Sequence, residues 1–155
     1  MAGGPKVNIP KDRILYEAET LFAKRGFYAV TIREITQAAR CNLAAVNYHF
    51  GNKQNLYMEV FRCLWKPRAK RIQTRFESVL AAQKEMTLQG IVQAVAEAFI
   101  KGPLSDEERL RHFQLMVREM ARPTEAFEMV VGDVIGPFQR KLAELIRPFM
   151  AREMG

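Results

Sequence analysis

Cysteine is almost absent: Cys41 and Cys63 are the two in 155 residues. That is too few for a disulfide framework and has no metal-finger spacing, and it suits a reducing compartment. Cys63, beside Leu64, reads as a buried inert thiol, and Cys41 as a packed turn residue. Histidine is equally scarce. Of His49 and His112, only the second has a carboxylate one helical turn away, Glu108. Two ligands without a third read as a surface pair, so no metal and no cofactor are expected. There is no glycine-rich phosphate loop and no nucleophile motif, and therefore no enzyme is expected. No apolar run approaches the length of a membrane span and no charged-then-apolar leader opens the sequence, so a soluble cytoplasmic protein without membrane contact is expected. No stretch alternates apolar and polar residues with the period of a strand, which leaves an all-α fold.

What the chain does have is positive charge, unevenly placed. The net charge is +7. Residues up to Arg75 carry 14 Lys and Arg against 5 Asp and Glu, a balance of +9; the remainder carries 10 against 12, a balance of −2. A basic half is the electrostatic footprint of a polyanion partner. The run PRAKRIQTRF, with Arg68, Lys70, Arg71 and Arg75, reads either as a second basic patch near that partner or as a solvated helix face.

The basic half is organised around Thr31–Lys53. Thr31 and Glu34 fit a capping box, and Ile32, Ile35 and Ala39 form a buried stripe of about two turns. Arg40-Cys41-Asn42 interrupts the pattern, and Asn42 is a good N-cap. Leu43, Val46 and Phe50 make the next stripe, Gly51 suits a helix C-terminus, and Asn52 can cap a further helix. Opposite the second stripe lie Ala44, Ala45 and Tyr48, with Asn47 and His49 at the margins. That thin face suits a DNA major groove; an ordinary short surface helix fits the geometry equally well.

The stretches AETLFAKRGFYAVTIREITQAA and AAVNYHFGNKQNLYMEVF resemble the DNA-binding domain of TetR-family bacterial regulators. The match covers Ile14–Trp65: a first helix, its glycine turn, a capped second helix, a recognition helix ending in Tyr-His-Phe, and an Asn-Lys start to the fourth. The family turn carries a small Gly-Val-Ser type sequence where this chain has Arg40-Cys41-Asn42, so Arg40 is expected to adopt a left-handed conformation at some cost. The resemblance implies a three-helix DNA-binding domain containing a helix-turn-helix. Phosphate anchors would be Thr31, Arg33, Tyr48, His49 and Lys53. Asn42, Ala44, Ala45 and Asn47 would read bases. Lys53 opposes its own helix's positive end, which makes sense where a phosphate docks.

Along the chain, residues 1–10 read as a flexible arm, 11–52 as the helix-turn-helix domain, and 53–155 as a helical ligand-binding and dimerisation domain entered through a fourth helix at 53–66. Pro67 is expected to break or kink that helix after Trp65. HFQLMVREMARPTEAFEMVVGDVIGPF resembles the regulatory domain of a CecR-like branch of the family. Such domains bind a small effector and dimerise through their final helices. They usually run about two helices further, so this chain is expected to lack the final helices. Phe99, Phe113, Met116, Met120 and Phe127 read as core or as the lining of an adaptable apolar pocket, with Arg118 and Glu119 as its polar contacts. Phe127, Val131, Val134, Phe138, Leu142, Leu145 and Phe149 form a heptad-like seam that would bury internally or, preferably, against a second subunit. Gly136-Pro137 should kink or divide that helix.

The expected function is a dimeric, ligand-responsive DNA-binding regulator, a repressor of a pseudo-palindromic double-stranded operator released by an apolar or amphipathic effector. A non-enzymatic helical module whose basic face meets an acidic protein or membrane surface is the alternative.

Overall fold

The computed structural model describes residues 9–153, so the expected arm lies outside the described residues except for Ile9 and Pro10, which already belong to the first helix. The described residues form nine α-helices: α1 Ile9–Arg25, α2 Ile32–Ala39, α3 Leu43–Phe50, α4 Lys53–Val60, α5 Lys66–Ala81, α6 Leu88–Phe99, α7 Asp106–Ala121, α8 Glu125–Val130 and α9 Gly136–Glu153. No strand occurs among the described residues.

Local chemistry sets most boundaries. On α1, Ile14, Leu15, Ala18 and Phe22 are buried. Gly26, at φ +84°, ends the helix, and Phe27 folds back toward Phe22 with ring centroids 6.2 Å apart. Thr31–Glu34 and Ser105–Glu108 form complete capping boxes ahead of α2 and α7. Asn42, Asn52, Thr87 and Thr124 cap α3, α4, α6 and α8 with their side chains.

Pro67 does not end its helix. Between α4 and α5 lies a π turn, Phe61–Trp65, in which the Lys66 amide donates to the Phe61 carbonyl five residues back. The same device, Val131–Ile135, joins α8 to α9, with the Gly136 amide donating to the Val131 carbonyl just before Pro137. A proline lacks an N–H and its ring crowds the carbonyl four residues back. Widening the preceding turn by one residue relieves that crowding and lets the helix carry on. Lys66 and Asp133, one from each widened region, form an ion pair of 2.8 Å.

Two apolar clusters hold the fold. The larger gathers α1–α4 and continues through Phe61, Trp65, Leu115, Ala126 and Val130, so it runs well past residue 52. The smaller is built on Ile72, Phe76, Ala94, Ala98 and Leu104, with Phe99, Phe138, Leu142 and Leu145 against it. The seam on α9 therefore turns inward at its centre. Phe138 meets Phe76 and Phe99 with centroids 5.2 and 5.6 Å apart, so α5 and α6 cover part of that centre, where Phe138, Leu142 and Leu145 are half-buried. Phe127, Val131 and Phe149 remain half-buried.

Buried polar groups join the halves. Glu19 on α1 has no solvent exposure. Its carboxylate accepts from Arg68 of α5, with one contact at 3.1 Å and a shorter one beside it, and from Arg111 Nε of α7 at 3.1 Å. Further along α7, Glu119 accepts from the Tyr57 hydroxyl at 2.5 Å and from the Thr124 amide and hydroxyl. Arg118 donates to the Ala23 and Lys24 carbonyls at the open end of α1.

These pairings correct four expectations. The PRAKRIQTRF run is divided: Arg68 is buried on Glu19, whereas Lys70, Arg71 and Arg75 stay exposed as a solvated face, on which Arg71 binds Glu108 at 3.0 Å and Arg75 approaches Glu97 at 3.9 Å. His112 is not half of a surface pair. It is 4% exposed and stacks on Trp65 with centroids 4.4 Å apart, while Glu108 serves arginines and its cap. Cys63 is exposed, its thiol donating to Glu59 at 3.4 Å, because the π turn rotates it off the buried face. Leu43 is 56% exposed: it keeps phase with Val46 and Phe50, but its side chain leans toward the helix start, beyond its partners.

The turn behaves as Arg40 implies. Its φ and ψ are 51° and 47°, and it is the one non-glycine with positive φ among the described residues. Replacing Arg40 with glycine removes the Cβ–carbonyl crowding of that conformation, worth roughly 1–2 kcal/mol before glycine's own entropy cost. Arg40→Gly is expected to raise unfolding stability by about 1 kcal/mol in urea titration; an unchanged or lowered midpoint would show that the left-handed turn carries no strain.

Burial, aided by the Arg68 cation, pushes the His112 pKa down from 6.5 to about 4. The unfolded chain then takes up a proton before the folded one does, so this stability is fully present above pH 6.5 and drains away as pH falls toward 4. At about 1.4 kcal/mol per pH unit, wild type should lose roughly 2 kcal/mol more than His112→Leu between pH 7.5 and pH 5. Parallel urea titrations of the two proteins measure this, and identical pH slopes would contradict it.

Candidate nucleic-acid interface and inner cavity

Helix α3 stands on α1, α2 and α4 through Val46, fully buried, and Phe50, 5% exposed. Asn42 caps it by accepting from the Ala45 amide at 2.9 Å. Four of its residues are exposed, Leu43, Ala44, Asn47 and Tyr48, as is Asn42 before it. At about 100° per residue these four span one continuous arc. Tyr48, at 85% exposure, stands clear of the protein body. Ala45, expected among the base-facing residues, is instead half-buried against the core. Leu43 takes its place on the open arc. His49 is half-buried at the far edge, its ring 5.1 Å from that of Tyr48.

The flanking groups come from three helix starts and turns. Thr31 and Arg33 are exposed at the start of α2. The Thr31 hydroxyl donates to Glu34 at 3.0 Å and accepts from its amide. Arg25 bonds the other Glu34 oxygen at 2.6 Å. Led by Arg25, these bonds bring the Glu34 carboxyl down to about 2. Glu34 therefore stays ionised and tied to its own side of the turn. Arg40 is also exposed, its carbonyl held by Arg13 at 3.4 Å. Lys53 is half-buried, its ammonium 4.2 Å from the centroid of the Phe27 ring, and partial desolvation lowers its pKa. Aromatic support of this kind holds the ammonium without neutralising it.

A cavity of about 320 Å³ lies where the two apolar clusters meet. Phe99, Phe113 and Met116, three of the expected lining residues, are in its wall. Met120 is not; it is 67% exposed, on the outer side of α7. Phe127 lies outside the wall as well, whereas the seam residues Val134, Phe138 and Leu142 lie within it. Arg118 and Glu119 are spent on α1, Tyr57 and Thr124 and border a separate cleft. The sequence reading missed Trp65, Ile72 and His112 as wall residues. The first two were legible only as core, and the third is placed by its stack on Trp65, a contact 47 residues apart in the chain.

No described helix is long and apolar enough to cross a membrane, and no group of three or more metal-ligating side chains occurs among the described residues.

Comparison with known proteins bears on both halves. Residues 14–60 match the family described as "Bacterial regulatory proteins, tetR family". Residues 85–154 match "HTH-type transcriptional dual regulator CecR, C-terminal domain". The HTH-type transcriptional dual regulator CecR of Shigella flexneri is 27% identical over 146 residues, covering 88% of this chain and 62% of the relative. The biofilm operon icaADBC HTH-type negative transcriptional regulator IcaR of Staphylococcus aureus (strain Newman) is 32% identical over 53 residues, 34% of this chain and 28% of its own length. The chain thus spans less than two thirds of either relative. With the first match over α1–α4 and the second over α6–α9, the two are in the order in which the structure lays out its helix-turn-helix and its cavity-bearing helices, and the chain belongs to the TetR family of bacterial regulators, with a C-terminal half of the CecR type.

Proposed function

We propose that this chain is a sequence-specific DNA-binding transcriptional regulator of the cytoplasm, a repressor that binds a pseudo-palindromic operator as a homodimer and is released by a small apolar effector. The observation that carries this reading is the exposed arc of α3, capped by Asn42, presenting short side chains and one projecting tyrosine on the basic half of the molecule. Two such arcs in a dimer would enter successive major grooves. Thr31, Arg33, Tyr48, His49 and Lys53 would hold phosphates. Asn42, Ala44 and Asn47 would face bases, joined by Leu43, whose methyls suit a thymine methyl. Both relatives are named as transcriptional regulators, and one as a negative regulator, which supports the repressor reading.

Helix α7 is the proposed link between effector and DNA. His112, Phe113 and Met116 line the cavity, while Arg111, Arg118 and Glu119 of the same helix hold α1 and α4. A ligand that favours a shifted α7 would shift the helix-turn-helix with it and change the spacing between the two reading helices.

Selection from random DNA tests the main reading. The chain should enrich a two-fold symmetric motif, and Asn47→Ala should relax preference at one position per half-site at a cost of about 1–3 kcal/mol. Enrichment of no motif would favour a helical module that docks on acidic surfaces. For the dimer, the seam's central residues also pack internally, and the proposed contact is made first by Phe127, Val131 and Phe149 beside them. Val131→Glu should lower the dimer population in sedimentation while helicity stays intact; an unchanged dimer would move the interface elsewhere.

A further inference from the structure

The cavity wall combines apolar surface with one unmet polar demand. Its lining includes Trp65, Phe99, Phe113 and Phe138, and no Asp, Glu, Lys or Arg. A charged ligand would find no opposite charge there to offset the hydration it gives up. Gln73 is half-buried and Gln139 exposed, so water can satisfy both amides. His112 differs. It belongs to the wall, it is 4% exposed, and its Nδ1 is buried without a hydrogen-bond partner. Trp65 cannot serve, because its indole N–H donates to the His112 backbone carbonyl at 3.0 Å while its ring stacks on the imidazole. Native proteins rarely leave a buried polar atom unpaired, and such an atom calls for an explanation.

Size and hydrogen-bonding capacity narrow the occupant. A dry apolar cavity of about 150 Å³ holds one benzene, so about 320 Å³ accommodates two rings. A neutral imidazole presents one donor and one acceptor nitrogen. A hydroxyl both donates and accepts, so it satisfies Nδ1 in either tautomer, whereas a ketone or an ether serves only one. We propose that the cavity takes a neutral two-ring aromatic molecule bearing a single hydroxyl group, which bonds the imidazole of His112. This rests on the reading of the cavity as the effector site and adds the chemical class of the effector. The lowered pKa of His112 is in keeping with it, because the ring stays neutral at pH 7 and a neutral ligand meets no charge.

The experiment uses the whole chain and three probes of matched shape: biphenyl, para-phenylphenol and biphenyl carboxylate. Trp65, the single tryptophan, lies in the wall, so its fluorescence reports occupancy directly. Para-phenylphenol should bind about tenfold more tightly than biphenyl, the effect of one buried hydrogen bond. The carboxylate should bind more weakly than biphenyl. In His112→Leu the hydroxyl preference should vanish while biphenyl still binds; His112→Gln should retain part of it. Equal affinity for para-phenylphenol and biphenyl, tighter binding of the carboxylate, or a preference that survives in His112→Leu would each overturn the proposal. The wild-type ranking decides alone if the leucine variant does not fold. Operator affinity measured with and without para-phenylphenol separates the two readings. Binding of the phenol with unchanged DNA affinity would defeat the regulatory reading alone, whereas intact DNA binding with no probe bound would defeat the ligand proposal alone.

Discussion

The Glu19 carboxylate lies in the interior between arginines from two different helices, and the arrangement of the two halves depends on it. A buried carboxylate is tolerable only if its charge is matched and its oxygens are bonded, and Arg68 and Arg111 do both. Arg68 reaches it from α5, beyond the first π turn; Arg111 reaches it from α7, one residue before the cavity wall. Moving either helix away would strand a charge in a low-dielectric site, at a cost on the order of several kcal/mol. The three helices are therefore tied to one another, as the proposed passage of a signal from the cavity to α1 requires.

The same helix, α7, divides its residues between two duties. One face supplies His112, Phe113 and Met116 to the cavity, and another supplies Arg111, Arg118 and Glu119 to α1 and α4. Its start is fixed by a complete capping box and three acidic residues in the first turn, a favourable setting for the positive helix end. Its outer face, with Leu110, Val117 and Met120 all more than half exposed, packs on nothing within the described chain.

Local signals in the sequence were legible because local chemistry decided them. The capping residues Thr31, Asn42, Asn52, Thr87 and Ser105 start their helices as read, and the missing turn glycine correctly implied a left-handed Arg40. Long-range partners could not be read in this way. Nothing in PRAKRIQTRF reveals that Glu19, 49 residues before Arg68, will claim it. A π turn inserts a residue into the periodicity, so Cys63 came out on the wrong face, and Pro67, read as a break or a kink, does not end its helix. On the arc of α3 the burial of Ala45 and the exposure of Leu43 were not legible, because α3 is held on three sides by α1, α2 and α4, and a single apolar stripe does not reveal that. Of the cavity wall only Phe99, Phe113 and Met116 were found, since apolar residues at helical spacing look the same whether they fill a core or line a space.

The paired π turns constrain how this chain can vary. Each holds one residue more than an α-helical turn, immediately before a proline, and the regions they widen are bridged by Lys66 and Asp133. Losing a single residue from Phe61–Trp65 would close the widened turn to an α-helical one and bring the Pro67 ring back against the carbonyl four residues earlier. Residue number, more than residue identity, is what these two short windows must keep.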